Sequence, residues 1–209
     1  PICVGKATRL IEYFIDQDRS YRGSINLGIE TDTFDKEGRI VAENTEFKIP
    51  SRVDIINALS FFIGDIEQIP PMYSAIKING ERLYDLARKG INLDLEPRLV
   101  KVFDISLLNW KPPSIDIRIS CGKGFYVRSL ANDLGKELGT GAYLEQLTRL
   151  KHGSFYIEES IEFNSLEKIF EEDRWSGIMA SVDSAITHMP KIAVDTRFEE
   201  DVINGRPVF

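Results

Sequence analysis

Residues 121–128 read C-G-K-G-F-Y-V-R and lie between two segments of different period. Before them, Ser114 to Cys121 alternates apolar and polar side chains, as a strand does. After them, Val127, Leu130, Ala131, Leu134 and Leu138 recur at helical spacing. A chain that changes period across a glycine-flexed turn must build a strand, a tight turn and a helix in succession. The turn brings Lys123 to the junction, and the helix opens on Arg128. Amides at a helix start favour anions, and an arginine fork grips a carboxylate or phosphate with two hydrogen bonds. The junction is therefore either a dock for an anionic partner or a joint whose arginine makes a local salt bridge.

The remaining pattern interleaves strands and helices without a regular βαβ beat. Residues 5–16 predict a helix with Ala7, Leu10, Ile11 and Phe14 on one stripe. Residues 19–30 predict a strand with Tyr21, Gly23, Ile25, Leu27 and Ile29 on one face. T-D-T-F-D-K-E-G, residues 31–38, is turn chemistry, and the strand after it closes a hairpin. Ser51 caps a helix with Ile55, Ile56, Leu59, Phe62 and Ile63 inward. The prolines of I-P-P-M-Y-S-A-I-K, residues 69–77, impose a rigid start and then a short strand. A helix over 81–89 turns Leu83, Tyr84 and Ala87 inward. Two long strands, about 97–110 and 114–122, are joined by K-P-P. Residues 141–151 predict another helix, with further helical pieces near 164–171 and 180–187. These elements predict an α+β fold, a mixed and largely antiparallel sheet with flanking helices.

Charge and cysteine content narrow the function. Net charge is −7, but residues 1–156 carry 21 Lys and Arg against 21 Asp and Glu, while 157–209 carry 5 against 12. The acidic excess therefore sits in the last quarter, and the rest can present a basic face, since docking responds to charge within about a Debye length of roughly 8–10 Å. Arg19, Arg22, Lys77, Arg82, Arg88, Lys89, Lys123, Arg128, Arg149 and Lys151 are its candidate members. Cys3 and Cys121 are too few for a disulfide scaffold and fit a cytoplasmic protein. With only His152 and His188 as histidines, no metal-ligand spacing occurs. No apolar run is long enough to span a membrane.

Seven blocks together resemble one family, the bacterial tRNA pseudouridine synthases of the TruB type. They are P-I-C-V-G-K-A-T-R at 1–9, Y-R at Tyr21, L-G-I-E-T-D-T-F-D-K-E-G at 27–38 and F-F-I-G-D-I-E-Q-I-P-P-M-Y-S-A-I-K at 61–77. G-E-R-L-Y-D-L-A-R-K-G at 80–90, G-K-G-F-Y-V-R-S-L-A-N-D-L-G at 122–135 and G-A-Y-L-E-Q-L-T-R-L at 141–150 complete the set, in the family's order. The resemblance implies the pseudouridine synthase fold and isomerisation of a T-loop uridine of tRNA, with neither metal nor organic cofactor. The base is flipped from the loop, detached from its ribose C1′, rotated and rejoined through C5. It further implies that residues 1–156 form the body of the catalytic domain with its RNA-binding insertion. Residues 157–209 would be an acidic part of that domain, leading towards a C-terminal PUA domain. The partner would be the tRNA T-arm and the parent enzyme a monomer.

By the same resemblance, Tyr21 stacks on the flipped base and is a candidate for removing the C5 proton. Arg128 pairs with the catalytic aspartate, and Leu147 lines the base pocket. Lys77 and Lys123 face the RNA, Arg82, Arg88 and Lys89 contact phosphates, and Arg149 joins the same RNA-binding set. Arg19 stands where the family usually has lysine, and Phe125 where it has threonine. The family's nucleophile is an aspartate in a G-x-L-D-x-x-A-T-G-type segment, which does not occur in these 209 residues. Asp32 and Asp35 belong to the turn motif and are not assigned that role. The expectation is a piece of a larger enzyme, inactive and aggregation-prone alone, that begins just after the catalytic loop. Its last pair, Val208 and Phe209, reads as a cut edge.

Overall fold

Six of the strands form one antiparallel sheet, and two helices close over one of its faces. The computed structural model describes residues 1–78, 80–91 and 93–207; Val208 and Phe209 lie outside that set. In chain order the helices are α1 (Ile11–Ile15), α2 (Arg52–Ser60), α3 (Leu83–Arg88), α4 (Val127–Glu137), α5 (Phe163–Glu171) and α6 (Glu199–Ile203). The strands are β1 (Arg19–Leu27), β2 (Ile29–Thr31), β3 (Ile40–Glu43), β4 (Gly64–Gln68) and β5 (Lys77–Ile78), then β6 (Glu81–Arg82), β7 (Arg98–Lys111), β8 (Ser114–Cys121), β9 (Ala142–His152) and β10 (Phe155–Tyr156). The large sheet runs β10-β9-β1-β8-β7-β4, and every pairing between its strands is antiparallel. Two small hairpins, β2–β3 and β5–β6, stand apart from it.

The inward face of the sheet is the apolar half of each alternating strand. Ile25 and Leu27 of β1, Ile115, Ile117 and Ile119 of β8, and Val100 and Val102 of β7 are buried. They pack against Leu130, Ala131 and Leu134 of α4 and Ile55, Ala58 and Leu59 of α2. The opposite face carries polar partners such as Ser24, which donates to the Asp116 carboxylate at 2.5 Å. Ser51 caps α2 through a reciprocal pair with Asp54, as its sequence position predicts. Between β1 and β2 the backbone needs Gly28, whose φ of +95° and contact with the Phe47 ring exclude a side chain.

Four expectations are corrected. Residues 141–151 are the strand β9, not a helix, because the segment pairs along nearly its whole length with β1. Residues 5–16 form a 3-10 turn followed by the short α1, with Phe14 buried and Ile11 outward. The helix α2 ends at Ser60, before Phe62 and Ile63, and Ile56 and Ile63 are exposed, so the buried stripe is shorter and narrower than predicted. The piece near 180–187 is a 3-10 segment, Val182–Ile186, rather than an α-helix.

α4 lies so close to β9 that a Cβ at Gly135 would collide with the backbone of Gly141 and Ala142. Gly135→Ala gains about 1 kcal/mol of helix propensity. The collision is nonetheless expected to make the variant about 1–3 kcal/mol less stable. Denaturant unfolding of the two chains checks this.

Candidate active site

Two bulges in the β1–β9 pairing set the site. Register shifts fall between Ser24 and Ile25 and between Ser20 and Tyr21. As a result, the inward β1 residues Leu27, Ile25, Gly23, Tyr21 and Arg19 stand opposite Ala142, Leu144, Leu147, Arg149 and His152. Each bulge inserts one unpaired residue, Glu145 or Leu150, and re-aims the strand beyond it. Tyr21 lies between Ile119 on β8 and Arg149 on β9, and it packs against the edge of the core. Leu147, opposite Gly23, is 46% exposed, so it lines an open surface rather than the core. Val127 approaches the Gly23 Cα side closely, which brings the first turn of α4 onto this part of the sheet.

Arg128 follows Val127, and its guanidinium ties three segments together. Nη1 donates to Asp35 Oδ2 at 3.1 Å and to the Thr33 carbonyl at 3.5 Å. Nη2 donates to the Tyr73 carbonyl at 2.7 Å. The other carboxylate oxygen of Asp35 accepts from the Thr33 hydroxyl at 2.6 Å and from the Glu37 amide at 3.1 Å. The T-D-T-F-D turn is thus folded around the carboxylate that holds the arginine. It is also docked on β9, where the Leu144 N–H donates to the Phe34 carbonyl at 2.9 Å and the Leu144 carbonyl accepts from the Lys36 N–H at 3.1 Å. Gln68 fixes the same junction from the other side: its amide accepts from the Tyr126 N–H at 2.8 Å and donates to the Tyr126 carbonyl at 3.1 Å. Ser129 donates to the Ile69 carbonyl at 2.8 Å.

Asp35 and Gln68 are the residues that sequence reasoning passed over. Asp35 sits in a motif already identified as a turn, and nothing local announces a partner 93 positions away. Gln68 looks like an ordinary strand end until its burial is seen. The family threonine position, Phe125, is a buried core side chain here.

The structure gathers four of the candidate RNA-binding residues. Lys77, Arg82, Arg88 and Lys89 line one open groove of about 610 Å³, with Glu81 and Asp85 between them. Lys89 pairs with Glu81 at 3.2 Å. Arg82 donates to the Tyr84 hydroxyl at 2.8 Å, and the guanidinium groups of Arg82 and Arg88 both lie over the Tyr84 ring. Arg149 is elsewhere, on β9 beside Lys151 and His152. Lys123 is exposed and pairs with Asp16 at 3.0 Å. Among the described residues, no group of three or more His, Cys, Asp or Glu could hold a metal ion. None of the described helices is long and apolar enough to cross a membrane.

Burial dominates the titrations here. It pushes the Cys121 thiol up to about 12 and holds the Tyr21 phenol above the usual tyrosine range. His152, stacked on Phe14 with ring centroids 4.1 Å apart, is pulled down to about 4 by burial and by the charges of Arg19 and Arg149. Between about 4 and the ordinary histidine value of 6.5, the unfolded chain therefore binds the proton that the folded chain refuses. Stability is expected to be highest above that window and to fall as pH drops through it. His152→Gln is expected to flatten this dependence in melting curves recorded from pH 7 to pH 4. Asp35→Asn, which removes the partner charge of a mostly buried guanidinium, is expected to lose about 1–3 kcal/mol in denaturant unfolding.

Comparison with known proteins gives this geometry its family. The model for "TruB family pseudouridylate synthase (N terminal domain)" matches residues 1–127, and that for "tRNA pseudouridylate synthase B C-terminal domain" matches 128–187. The tRNA pseudouridine synthase B of Dehalococcoides mccartyi is 43% identical over 98% of this chain and 68% of its own length. That of Clostridium tetani is 40% identical over 98% of the chain and 69% of its own. Among solved structures, a Cbf5–Nop10–Gar1 complex aligns with a TM-score of 0.73 at 22% identity, covering 98% of this chain and 54% of that one. An H/ACA ribonucleoprotein bound to a substrate RNA containing 2′-deoxyuridine aligns at 0.70 and 20%, covering 99% and 53%. The chain thus spans about half the length of these structural neighbours, which share its fold. By its match over most of its length, the chain belongs to the TruB family of pseudouridylate synthases.

Proposed function

We propose that this chain forms the body of a tRNA pseudouridine synthase that isomerises the T-loop uridine after flipping it from the T-arm. What supports this reading is that Tyr21 and Gly23 share one face of β1, that Leu147 stands opposite Gly23, and that Val127, the neighbour of Arg128, packs onto Gly23. Tyr21 offers an aromatic face for the flipped pyrimidine and an ionisable tip near it. Leu147, opposite Gly23 and so two residues along from Tyr21, offers an exposed apolar wall. Arg128, already oriented by Asp35 and Tyr73, is the cation that keeps a nucleophilic carboxylate ionised and aimed. A carboxylate left unpaired in a closing pocket gains a proton and loses nucleophilicity.

The groove of Lys77, Arg82, Arg88 and Lys89 then serves as the phosphate-binding surface, with Arg149 and Lys123 as flanking contacts. Phosphate contacts position a nucleic acid, while the pocket selects the base. A second reading, a module that binds RNA without chemistry, is favoured by the same groove in a chain whose sequence lacks the G-x-L-D-x-x-A-T-G segment.

Turnover of a T-arm hairpin separates the two readings. The 209-residue chain alone is expected to form no pseudouridine, whereas the chain joined to an aspartate-bearing segment of the family type is expected to form it. In the joined protein, Tyr21→Phe is expected to abolish product while leaving hairpin affinity near that of the parent. Absence of product from the joined protein, with binding intact, would favour the module. Binding itself is expected to weaken linearly in log affinity against log salt. Replacing Arg82 and Arg88 together by glutamine is expected to reduce that slope by about 2.

A further inference from the structure

Arg19 holds a positive charge that the fold does not neutralise. It stands in register with Cys121 on β8 and His152 on β9, in the row next to Tyr21 on the same sheet face. Nη2 donates to the carbonyl of Ile15 at the end of α1, at 2.5 Å. Nη1 is buried and has no hydrogen-bond partner among the described residues. No carboxylate among them reaches the guanidinium within ion-pair distance. The carboxylate of Asp16, one residue beyond the Ile15 anchor, is bound to Lys123 instead. A guanidinium nitrogen withdrawn from water with an idle donor is costly unless an acceptor or an opposite charge answers it.

The Tyr21 phenol, in the next row of the same face, can become that charge. We infer that Arg19 is a positioning residue that acts through Tyr21: its unanswered guanidinium favours the phenolate over the phenol on the neighbouring row. The inference rests on the reading of Tyr21 as the group that removes the C5 proton. In that step the phenolate oxygen takes the proton of the rejoined base. The C5–H electron pair becomes the C5–C6 double bond, and the C6–N1 π pair moves to N1, which takes a proton from solvent. Tyr21 ends as the phenol and returns its proton to solvent.

The surrounding groups fit this role. Arg19 on β1 and Arg149 on β9 both favour the ionised phenol, against burial and the Cys121 thiol on β8. Asp18, at the entry to β1, faces Cys121 and supplies negative charge to that side. His152 stays neutral and adds no charge. Arg128 on α4 is engaged by Asp35 and is not available to Tyr21. Arg149, opposite Tyr21, hydrogen-bonds the phenol itself, and Arg19 is the second cation on it, with one buried guanidinium nitrogen left unpartnered among the described residues.

The test uses the unaltered 209-residue chain, without RNA, labelled with 13C at tyrosine Cζ and 15N at arginine. Tyr21 is assigned by the signal lost in Tyr21→Phe. Its alkaline midpoint is expected to rise in Arg19→Gln, to return close to the parent value in Arg19→Lys, and to leave the other tyrosines unmoved. An unchanged midpoint in a folded Arg19→Gln overturns the inference. Should that variant not fold, the parent chain still decides: the Arg19 Nε–H resonance is expected to shift with the midpoint of Tyr21, and a resonance that ignores Tyr21 overturns the inference. Because no RNA is present, this result stands apart from T-arm turnover, which tests the functional reading itself.

Discussion

The bond between Arg128 and Asp35 is the contact on which the site depends. One guanidinium reaches a turn at residues 33–35, a rigid segment at Tyr73 and, through its own helix, the sheet. A charge so far removed from water is stable only when its donors are satisfied, and here two segments distant in sequence supply the acceptors. Neither segment is fixed by its own secondary structure. The turn has one short strand on each side, and residues 69–76 form no helix or strand at all. The arginine therefore orders them, and Gln68 and Ser129 lock the same helix end from the other side. Position and charge at the site come from one network.

That network explains which parts of the chain could be read beforehand. The strands β1 and β8 and the helix α4 were legible because each alternates or repeats cleanly and buries the side that its period marks. Ser51 was legible because a cap is local chemistry. Asp35 was legible only as a turn residue: its hydrogen bonds to Thr33 and Glu37 are local, but its partner Arg128 is brought near by the sheet. The resemblance to the family supplied a role for Arg128, and the structure supplied the group that holds it.

β9 shows the opposite failure, and its cause is geometric. Its inward residues are 142, 144, 147, 149 and 152, so the spacing runs two, three, two, three. A regular strand would keep a spacing of two, and a helix alternates three and four. Two bulges within eleven residues produce an intermediate period, which Leu144, Leu147 and Leu150 disguise as a helical stripe. Leu150, one of those three, is a bulge residue and not part of the inward row. β7 carries two register shifts as well, but its length and its Val and Ile content still mark it as a strand.

The same bulges that hide the strand also build the site. Without the first, Leu147 would stand on the other side of the sheet from Gly23, because a one-residue slip exchanges the faces. Without the second, His152 would leave the row of Arg19 and Cys121. A regular β9 would therefore give a better-paired sheet without Leu147 opposite Gly23 and without the neutral imidazole against Phe14. Irregular pairing costs ladder hydrogen bonds, and the partly buried Arg19 and Arg128 add some cost of dehydrated charge. These costs fall on one end of one sheet, next to a core of isoleucine and leucine that is closed to solvent. β7 and β8 carry two register shifts of their own, so the uninterrupted ladder of the sheet is the β1–β8 pair at its centre, and the strands on either side of it absorb the irregularities.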